Sequence, residues 1–243
     1  MTNQSIFCSA IAYRTIFFGG LNVNLNFDIN QIKWFRRELL AWGEKHRRKF
    51  PWRNTKDAYA ILVAEFMLQK TNAPLVAPLY KKFMEQYPTV EALAEAQFID
   101  IKNILQPLGL AFRAERLYKT AKLLIEEYQG KVPNTEAELV KLPGVGKYTA
   151  RSICANAFGQ SKAVIDTNVA RIFERFFGFE GGKVKSRCPL LWRKAEEIAP
   201  ENNVGMWNLT LFDFGAGVCT AKNPSCGKCV LRERCDYVKQ EKN

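Results

Sequence analysis

Four cysteines near the end of the chain constrain its fold more than any other feature of the sequence. Cys219, Cys226, Cys229 and Cys235 form the pattern C-x6-C-x2-C-x5-C within 17 residues. Four thiolates so close together can surround one metal centre, either a tetrahedral zinc ion or a cubane iron–sulfur cluster. Ligand type alone does not distinguish these two centres, and two disulfides or four separate thiols are the remaining interpretations.

The start of the chain indicates the redox environment of these cysteines. Residues 1–18 lack a basic segment before their apolar part, although residues 9–12 loosely resemble a signal-peptidase cleavage site. We therefore expect no signal peptide and a reducing, intracellular location, where clustered cysteines usually bind metal. Cys8, Cys154 and Cys188 are scattered along the sequence, and we interpret them as structural thiols.

The charge of the chain indicates a polyanionic partner. Lysine and arginine number 36 against 24 acidic residues, which gives a net charge of +12. This excess favours nucleic acid over a membrane surface as the partner. No segment approaches the roughly 18 apolar residues of a membrane-spanning helix, so we expect no membrane association. Four cations lie within the cysteine segment itself and can reach phosphate: Lys222, Lys228, Arg232 and Arg234.

Hydrophobic periodicity predicts an all-α chain. The 243 residues suffice for one large domain or two small ones. Helical stripes recur, but alternating strand patterns are hard to find. Residues 1–28 are rich in asparagine and poor in charge, and we interpret them as an extension of unknown role. Two stripes are the clearest: Ile32, Phe35, Leu39 and Trp42, and then Leu117, Ala121, Leu124 and Tyr128.

A glycine turn lies between two predicted helices at residues 142–149, with the sequence LPGVGKYT. Two glycines permit a compact turn whose backbone N–H groups face outward beside a helix N-terminus. This geometry suits a DNA backbone phosphate and reads no base sequence. Two glycines in such a turn are also common at a plain helix–helix corner. The spacing of a nucleotide-binding P-loop is absent.

Asp166 is the second local signal, because it precedes a helix with apolar periodicity in the segment 164–168, VIDTN. Aspartate at this position typically caps a helix N-terminus. The residue alone does not distinguish a cap from a catalytic carboxylate, and both roles are compatible.

From Trp34 to Cys235 the chain resembles a helix-hairpin-helix DNA glycosylase of the MutY/endonuclease III family. Five strings carry this resemblance: FPWR (50–53), AEFMLQKT (64–71), LPGVGKYT, IDTNV (165–169) and the cysteine quartet. The family fold consists of two helical lobes that flank a DNA-binding cleft.

The resemblance assigns a six-helix barrel to residues 53–156, with the helix-hairpin-helix at 142–149. A cluster lobe is assigned to residues 29–52 plus 157–243. The quartet spacing resembles the family's [4Fe-4S] loop, here 219–235, and favours that cluster over zinc.

The resemblance also implies roles for individual residues. Asp166 matches the catalytic aspartate, and Glu65 and Tyr148 are expected beside it. Glu65 as a buried capping group and Tyr148 as a packed aromatic are the alternatives. The expected DNA contacts are Gln69, Lys70 and Leu110, which are candidates to fill the gap left by a flipped base, and Gly144, Val145, Gly146, Lys147 and Thr149 of the hairpin. Core packing for Leu110 and a solvated helix face for Gln69 and Lys70 are the competing interpretations.

Substrate choice depends on departures from the family pattern. Bifunctional relatives carry a lysine nucleophile where Tyr148 stands, with Lys147 one position early, so we expect a monofunctional enzyme with weak or absent lyase activity. Thr167 replaces the glycine usual in adenine glycosylases, and Leu110-Ala111 replaces their aromatic pair. The chain also ends soon after the cysteines, whereas adenine glycosylases carry a further domain that reads 8-oxoguanine.

These departures favour excision of thymine or uracil opposite guanine in base excision repair. Adenine excision from A·G or A·8-oxoG pairs is the alternative, and a non-catalytic iron–sulfur or zinc DNA-binding protein is the alternative of another class. We expect a monomer that acts on mispaired double-stranded DNA in the cytoplasm, at the nucleoid if the source is prokaryotic.

Overall fold

The computed structural model describes residues 27–109 and 111–240, and the regular secondary structure in those ranges is helical throughout. This confirms the predicted all-α class. Leu110 and nearly all of the 1–28 extension, including Cys8, lie outside the described residues. The helices are α1 (Ile29–His46), α2 (Ala58–Leu68), α3 (Ala73–Gln86), α4 (Val90–Glu95), α5 (Phe98–Leu105), α6 (Ala111–Tyr128), α7 (Glu136–Leu139), α8 (Lys147–Asn156), α9 (Thr167–Phe177), α10 (Pro189–Ile198), α11 (Val204–Gly217) and α12 (Asp236–Gln240).

Two hydrophobic cores organise these helices. The first core draws on residues from Phe50 to Cys154 and includes most of α2, which is buried on nearly all sides. A helix that is apolar around its whole circumference must lie inside a domain. The second core combines α1 with the chain from Ala163 to Val238. From residue 27 onward, the chain therefore passes from the second core into the first and then returns to the second.

Helix α1 illustrates how the sequence selects this arrangement. Asp28 caps its N-terminus by accepting a hydrogen bond from the backbone N–H of Asn30 at 2.9 Å. Ile32, Phe35 and Leu39 are buried along one face, as their spacing predicts. The fourth residue of that stripe, Trp42, is only half-buried. Its ring packs edge-on against Phe214 of α11, with ring centroids 5.1 Å apart.

A buried ion cluster connects α11 to the segment that leads from α1 into the first core. Asp213 is only 3% exposed. Its carboxylate accepts hydrogen bonds from Arg48 Nε at 2.6 Å and from Arg53 Nη1 at 2.7 Å and Nη2 at 3.0 Å. The backbone N–H of Arg48 donates to it at 2.8 Å. Burial raises the pKa of Asp213, but the hydrogen bonds from Arg53 and the Arg48 backbone outweigh burial, and the net pKa is lowered.

In the described part of the chain, none of the helices is long and apolar enough to cross a membrane.

Asp213→Asn is expected to lower the free energy of unfolding by about 3 kcal/mol near neutral pH, because it leaves two guanidinium groups without a buried counter-ion. The folded-state pKa of Asp213 lies below its unfolded value. Its stabilisation is therefore present above the unfolded pKa and is lost as pH falls through the folded pKa. Urea unfolding of both proteins at neutral and acidic pH measures this difference.

Glu38→Gln is the matched control, since it removes an ion pair with Arg37, whose side chain is 68% exposed. Such surface pairs contribute about 0–1 kcal/mol. Equal losses in the two variants would contradict the role given to Asp213.

Candidate active site

A cavity of about 420 Å³ lies where the two cores meet, and all three predicted catalytic residues line it. Glu65 comes from α2 of the first core, whereas Asp166 immediately precedes α9 of the second. Tyr148 comes from the first turn of α8, and its side chain packs against the second core. The structure thus brings together side chains that are up to 101 positions apart in sequence. Arg53 of the ion cluster lines the same cavity.

Asp166 caps α9, as the sequence predicts. Its Oδ1 accepts a hydrogen bond from the backbone N–H of Val169 at 2.7 Å, and its Oδ2 accepts one from Asn168 Nδ2 at 3.0 Å. The N-terminal end of a helix favours a negative charge, so the cap also stabilises a carboxylate at the cavity wall. Because the residue is only half-buried, capping leaves the group accessible to a ligand.

A hydrogen-bonded path leads from Asp166 to the cysteine loop. Arg171 Nη2 donates to Asn168 Oδ1 at 2.8 Å and to the carbonyl oxygen of Gly215 at 2.9 Å. Its Nε donates to the carbonyl oxygen of Cys219 at 2.8 Å. Neither Asn168 nor Arg171 was singled out in the sequence. Their i,i+3 spacing on one helix face was the available signal.

Glu65 lies half-buried on α2. Ser152 of α8 donates its hydroxyl hydrogen to Glu65 Oε1 at 2.6 Å, and Asn156 Nδ2 in turn donates to Ser152 Oγ at 3.2 Å. Desolvation raises the pKa of Glu65 to about 7, although the bond from Ser152 opposes the rise. Near neutral pH the group is therefore present in both protonated and ionised forms. Sequence reasoning missed Ser152.

Tyr148 occupies the first turn of α8 and is half-buried. Burial raises its pKa well above the ordinary value of 10, and the nearby negative charges of Glu65 and Asp166 raise it further, whereas Arg53 acts in the opposite direction. The phenol therefore stays protonated and can donate a hydrogen bond. Its ring centroid lies 6.1 Å from that of Phe212.

The glycine turn adopts the compact form that the sequence predicts. Gly144 has φ +82°, and a Cβ there would lie 2.7 Å from Arg116 Cδ and 3.1 Å from Phe66 Cε1. Gly146 and Lys147 are exposed, so the start of α8 faces solvent. Val145 and Thr149 are each only 5% exposed.

The structure describes two of the three residues that are expected to enter DNA. Gln69 lies at the C-terminal end of α2, and its Nε2 donates to the carbonyl oxygen of Gly144 at 3.1 Å. Lys70 is exposed and has φ +55°, an uncommon conformation for a residue with a side chain. Leu110 lies outside the described residues, so its role stays a prediction.

The four loop cysteines lie at the edge of the second core. Burial raises the pKa of Cys229 to about 11, and Cys219, Cys235 and Cys226 raise it further, so the four thiols are close neighbours. Within the described ranges, no group of three or more His, Cys, Asp or Glu side chains is arranged to hold a single metal ion. Neighbouring thiols suit a cluster whose irons are each held by a cysteine.

Sequence and structure comparisons agree on the family. Residues 63–194 match the HhH-GPD superfamily base excision DNA repair protein, and residues 219–235 match the iron-sulfur binding domain of endonuclease III. The chain is 35% identical to the thymine/uracil-DNA glycosylase of Methanothermobacter thermautotrophicus, over 86% of this chain and 95% of the relative.

The chain is also similar to an adenine DNA glycosylase and to solved structures of the same fold. An adenine DNA glycosylase of Buchnera aphidicola subsp. Schizaphis graminum is 36% identical, but the match covers only 60% of that protein. Among solved structures, a thermostable thymine-DNA glycosylase superposes with a TM-score of 0.82 at 34% identity, over 87% of this chain and 98% of the other. A non-covalent endonuclease III–DNA complex shares the fold, with a TM-score of 0.78 at 24% identity.

These matches confirm the predicted family and the predicted [4Fe-4S] cofactor, because they cover more than half of the chain and, separately, the cysteine loop. The chain belongs to the HhH-GPD superfamily of base excision DNA repair proteins and carries the iron–sulfur binding domain of endonuclease III.

Proposed function

We propose that this protein is a monofunctional DNA glycosylase that flips and hydrolytically excises thymine or uracil opposite guanine. One observation carries the proposal: a cavity between the two cores unites Glu65, Tyr148 and Asp166. This chain is 35% identical to a thymine/uracil-DNA glycosylase, and the match covers 95% of that relative. A binding module without catalysis has no need of carboxylates in such a cavity.

The two cores suggest how DNA is bound. We assign them to the two lobes of the family fold, with the duplex in the cleft between them. The exposed start of α8 offers backbone N–H groups to a phosphate. We assign Gln69 and Lys70, in the turn after α2, to the space left by a flipped base, and the same role stays a prediction from the sequence for Leu110. We expect one protein molecule to act on one mispaired site, in the cytoplasm or at the nucleoid.

Base flipping makes the glycosidic bond accessible. A cavity of about 420 Å³ falls within the usual range for a small-molecule site. Extrusion costs a few kcal/mol for a paired base and less for a mispaired one. A G·T or G·U wobble pair is already weakened, so its pyrimidine enters the cavity at lower cost. This difference contributes to selectivity before any contact with the base.

The chemistry follows from the charge states of the three residues. Loss of the base leaves an oxocarbenium-like sugar, which the carboxylate of Asp166 stabilises while it positions the attacking water. The departing pyrimidine carries negative charge, which hydrogen-bond donors stabilise. Tyr148 is a phenol donor, and Glu65 in its protonated form donates from the carboxyl group whose Oε1 is bonded to Ser152.

Hydrolysis is favoured over a Schiff-base route by the position of Lys147. Its Nζ lies 4.4 Å from the ring centroid of Trp192, outside the set of residues that line the cavity. Tyr148 takes the place that a lysine nucleophile occupies in bifunctional relatives. A phenol has no nitrogen and cannot form an imine, which requires a primary amine. We therefore assign weak or absent lyase activity to this chain.

The cysteine loop completes the proposal. Cys219, Cys226, Cys229 and Cys235 are assigned as the four cluster ligands, and Arg175 supports the loop by donating to Cys219 Sγ at 3.6 Å and to the Thr220 carbonyl oxygen at 2.8 Å. The bound cluster would fix the loop in place, beside the cations of that segment. Asn168 and Arg171 connect the loop to Asp166.

Single-turnover cleavage of labelled duplexes tests the assigned substrate. The panel contains G·T, G·U, A·G and A·8-oxoG pairs, each sampled with and without alkali. We expect breaks at T and U opposite G that depend on alkali, since hydrolysis leaves an intact abasic strand. Breaks only at A would assign the protein to the adenine branch, where Glu65 with a pKa of about 7 would protonate the departing base. Breaks without alkali would contradict the monofunctional assignment.

Asp166→Asn separates the charge of this residue from its capping role. Asparagine caps a helix about as well as aspartate, so the free energy of unfolding should change by less than about 1 kcal/mol. The neutral amide no longer stabilises the sugar cation, and we expect excision to fall by a factor of 100 or more, on the order of 3 kcal/mol. Duplex binding should persist. Lost stability with retained excision would show that only the cap matters.

The pH dependence of excision tests the protonated role of Glu65. If neutral Glu65 donates to the base, the single-turnover rate constant falls as pH rises through about 7, because the carboxyl group ionises there. Glu65→Gln should be slower at low pH and should lose this limb of the profile. Glu115→Gln, which alters an exposed pair with Lys119, serves as the control. A rate that rises through the same pH range would instead assign the carboxylate to water activation.

A further inference from the structure

Arg113 of α6 is a buried guanidinium that connects two turns of the first core. It is only 2% exposed. Its Nη1 donates to the carbonyl oxygen of Met67 at 2.6 Å and to Thr71 Oγ1 at 2.9 Å. Its Nη2 donates to the carbonyl oxygen of Leu108 at 2.5 Å. One side chain thus holds the C-terminal end of α2, the turn after it, and the turn between α5 and α6.

The partners of Arg113 in the described residues are neutral oxygens, and no carboxylate pairs with it there. Burial accordingly lowers its pKa, and its Nε has no hydrogen-bond partner. A buried cation without a counter-ion is costly for a fold. Its three hydrogen bonds offset this desolvation cost, and they fix the geometry of the segments that Arg113 joins.

The turn after α2 contributes residues to the wall of the cavity and to a contact with the hairpin. Thr71 and Asn72 line the base cavity, and Gln69 donates to the carbonyl oxygen of Gly144 in the hairpin. Lys70 lies between Gln69 and Thr71 in the sequence and has φ +55°, a strained conformation that requires support from its surroundings. Arg113 supplies this support at both ends, through Met67 and Thr71.

The turn between α5 and α6 also contains a residue with positive φ that lies beside a contact of Arg113. It ends at Gly109 with φ +86°, directly after the Leu108 carbonyl that Arg113 binds. Two turns, each with a residue of positive φ, are therefore held by the one planar guanidinium group of Arg113. A guanidinium can bridge two turns in this way because its donors diverge in a fixed plane, whereas an ammonium group is a single point.

We propose that Arg113 is a positioning residue for base extrusion, which holds residues 69–72 beside the cavity and against the hairpin so that the extruded state is stabilised. It acts through Thr71 and the backbone and does not touch the substrate. The proposal rests on the assigned glycosylase function, because it concerns the step that brings the base into the cavity.

The test compares Arg113→Met and Arg113→Lys with the unmodified protein, each with its cluster loaded. Excision is measured in single turnover on a G·T duplex, and extrusion by the fluorescence of 2-aminopurine placed beside the mispair. We expect Arg113→Met to slow excision by about tenfold to a hundredfold, the usual effect of losing hydrogen bonds to a charged group. It should also reduce the fluorescence rise. Arg113→Lys should give intermediate values, since an ammonium restores only part of the contact set.

Arg36→Met is the matched control for lost stability. Arg36 of α1 also donates to carbonyl oxygens, those of Glu197, Ile198 and Ala199 at 2.7–2.9 Å, but it lies outside the cavity lining. Both variants should melt at lower temperature, and below their melting points only Arg113→Met should lose extrusion. Equal losses of extrusion in the two, or normal fluorescence and excision in Arg113→Met, would overturn the proposal.

A further variant covers the case in which Arg113→Met does not fold. Thr71→Val removes one contact of Arg113 and keeps the volume of the side chain, so a reduced fluorescence rise is expected and an unchanged rise overturns the proposal. Absence of excision by the unmodified protein at T or U opposite G would reject the assigned substrate alone. The fluorescence comparison would still test whether Arg113 controls extrusion of a mispaired base.

Discussion

The buried carboxylate of Asp213 joins the two cores, and the geometry of the cavity depends on this junction. Asp213 belongs to α11, whereas Arg48 and Arg53 belong to the segment that carries the chain into the first core. Both arginines also line the cavity. A displacement here would separate Glu65 of the first core from Asp166, and from the Tyr148 ring that packs against the second core. Charge pairing in a low-dielectric junction is orientation-dependent, so it specifies the relative position of two cores that hydrophobic burial alone would leave less defined.

The cavity places two carboxyl groups in contrasting surroundings. Glu65 is desolvated on an apolar helix and has one hydroxyl donor, so its pKa rises to about 7. Asp166 sits at the beginning of a helix and accepts from a backbone N–H and from Asn168. One group is thereby suited to donate a proton or hydrogen bond, and the other to oppose a positive charge. Tyr148 lines the same cavity as a neutral donor.

Much of the fold and part of the site could be predicted from local sequence. The stripe of α1 gave its buried face, the position of Asp166 gave a helix cap, and the cysteine spacing gave the metal loop. These features depend on residues a few positions apart, where helix geometry alone determines which side chains meet. Trp42 shows the limit of periodicity: it belongs to the stripe but is only half-buried at the edge of the second core.

The sequence by itself determined the helical class, the metal-binding loop and the types of side chain available for chemistry. Only the tertiary structure decided which of them meet. Ser152 reaches Glu65 from 87 positions away, and Arg48 reaches Asp213 from 165. Arginine is ordinarily a surface residue, but Arg113 is buried and donates hydrogen bonds to three neutral oxygens. No local pattern encodes such pairs, because their contacts arise when separate helices pack and exclude water, and the pKa of a buried group depends on that packing.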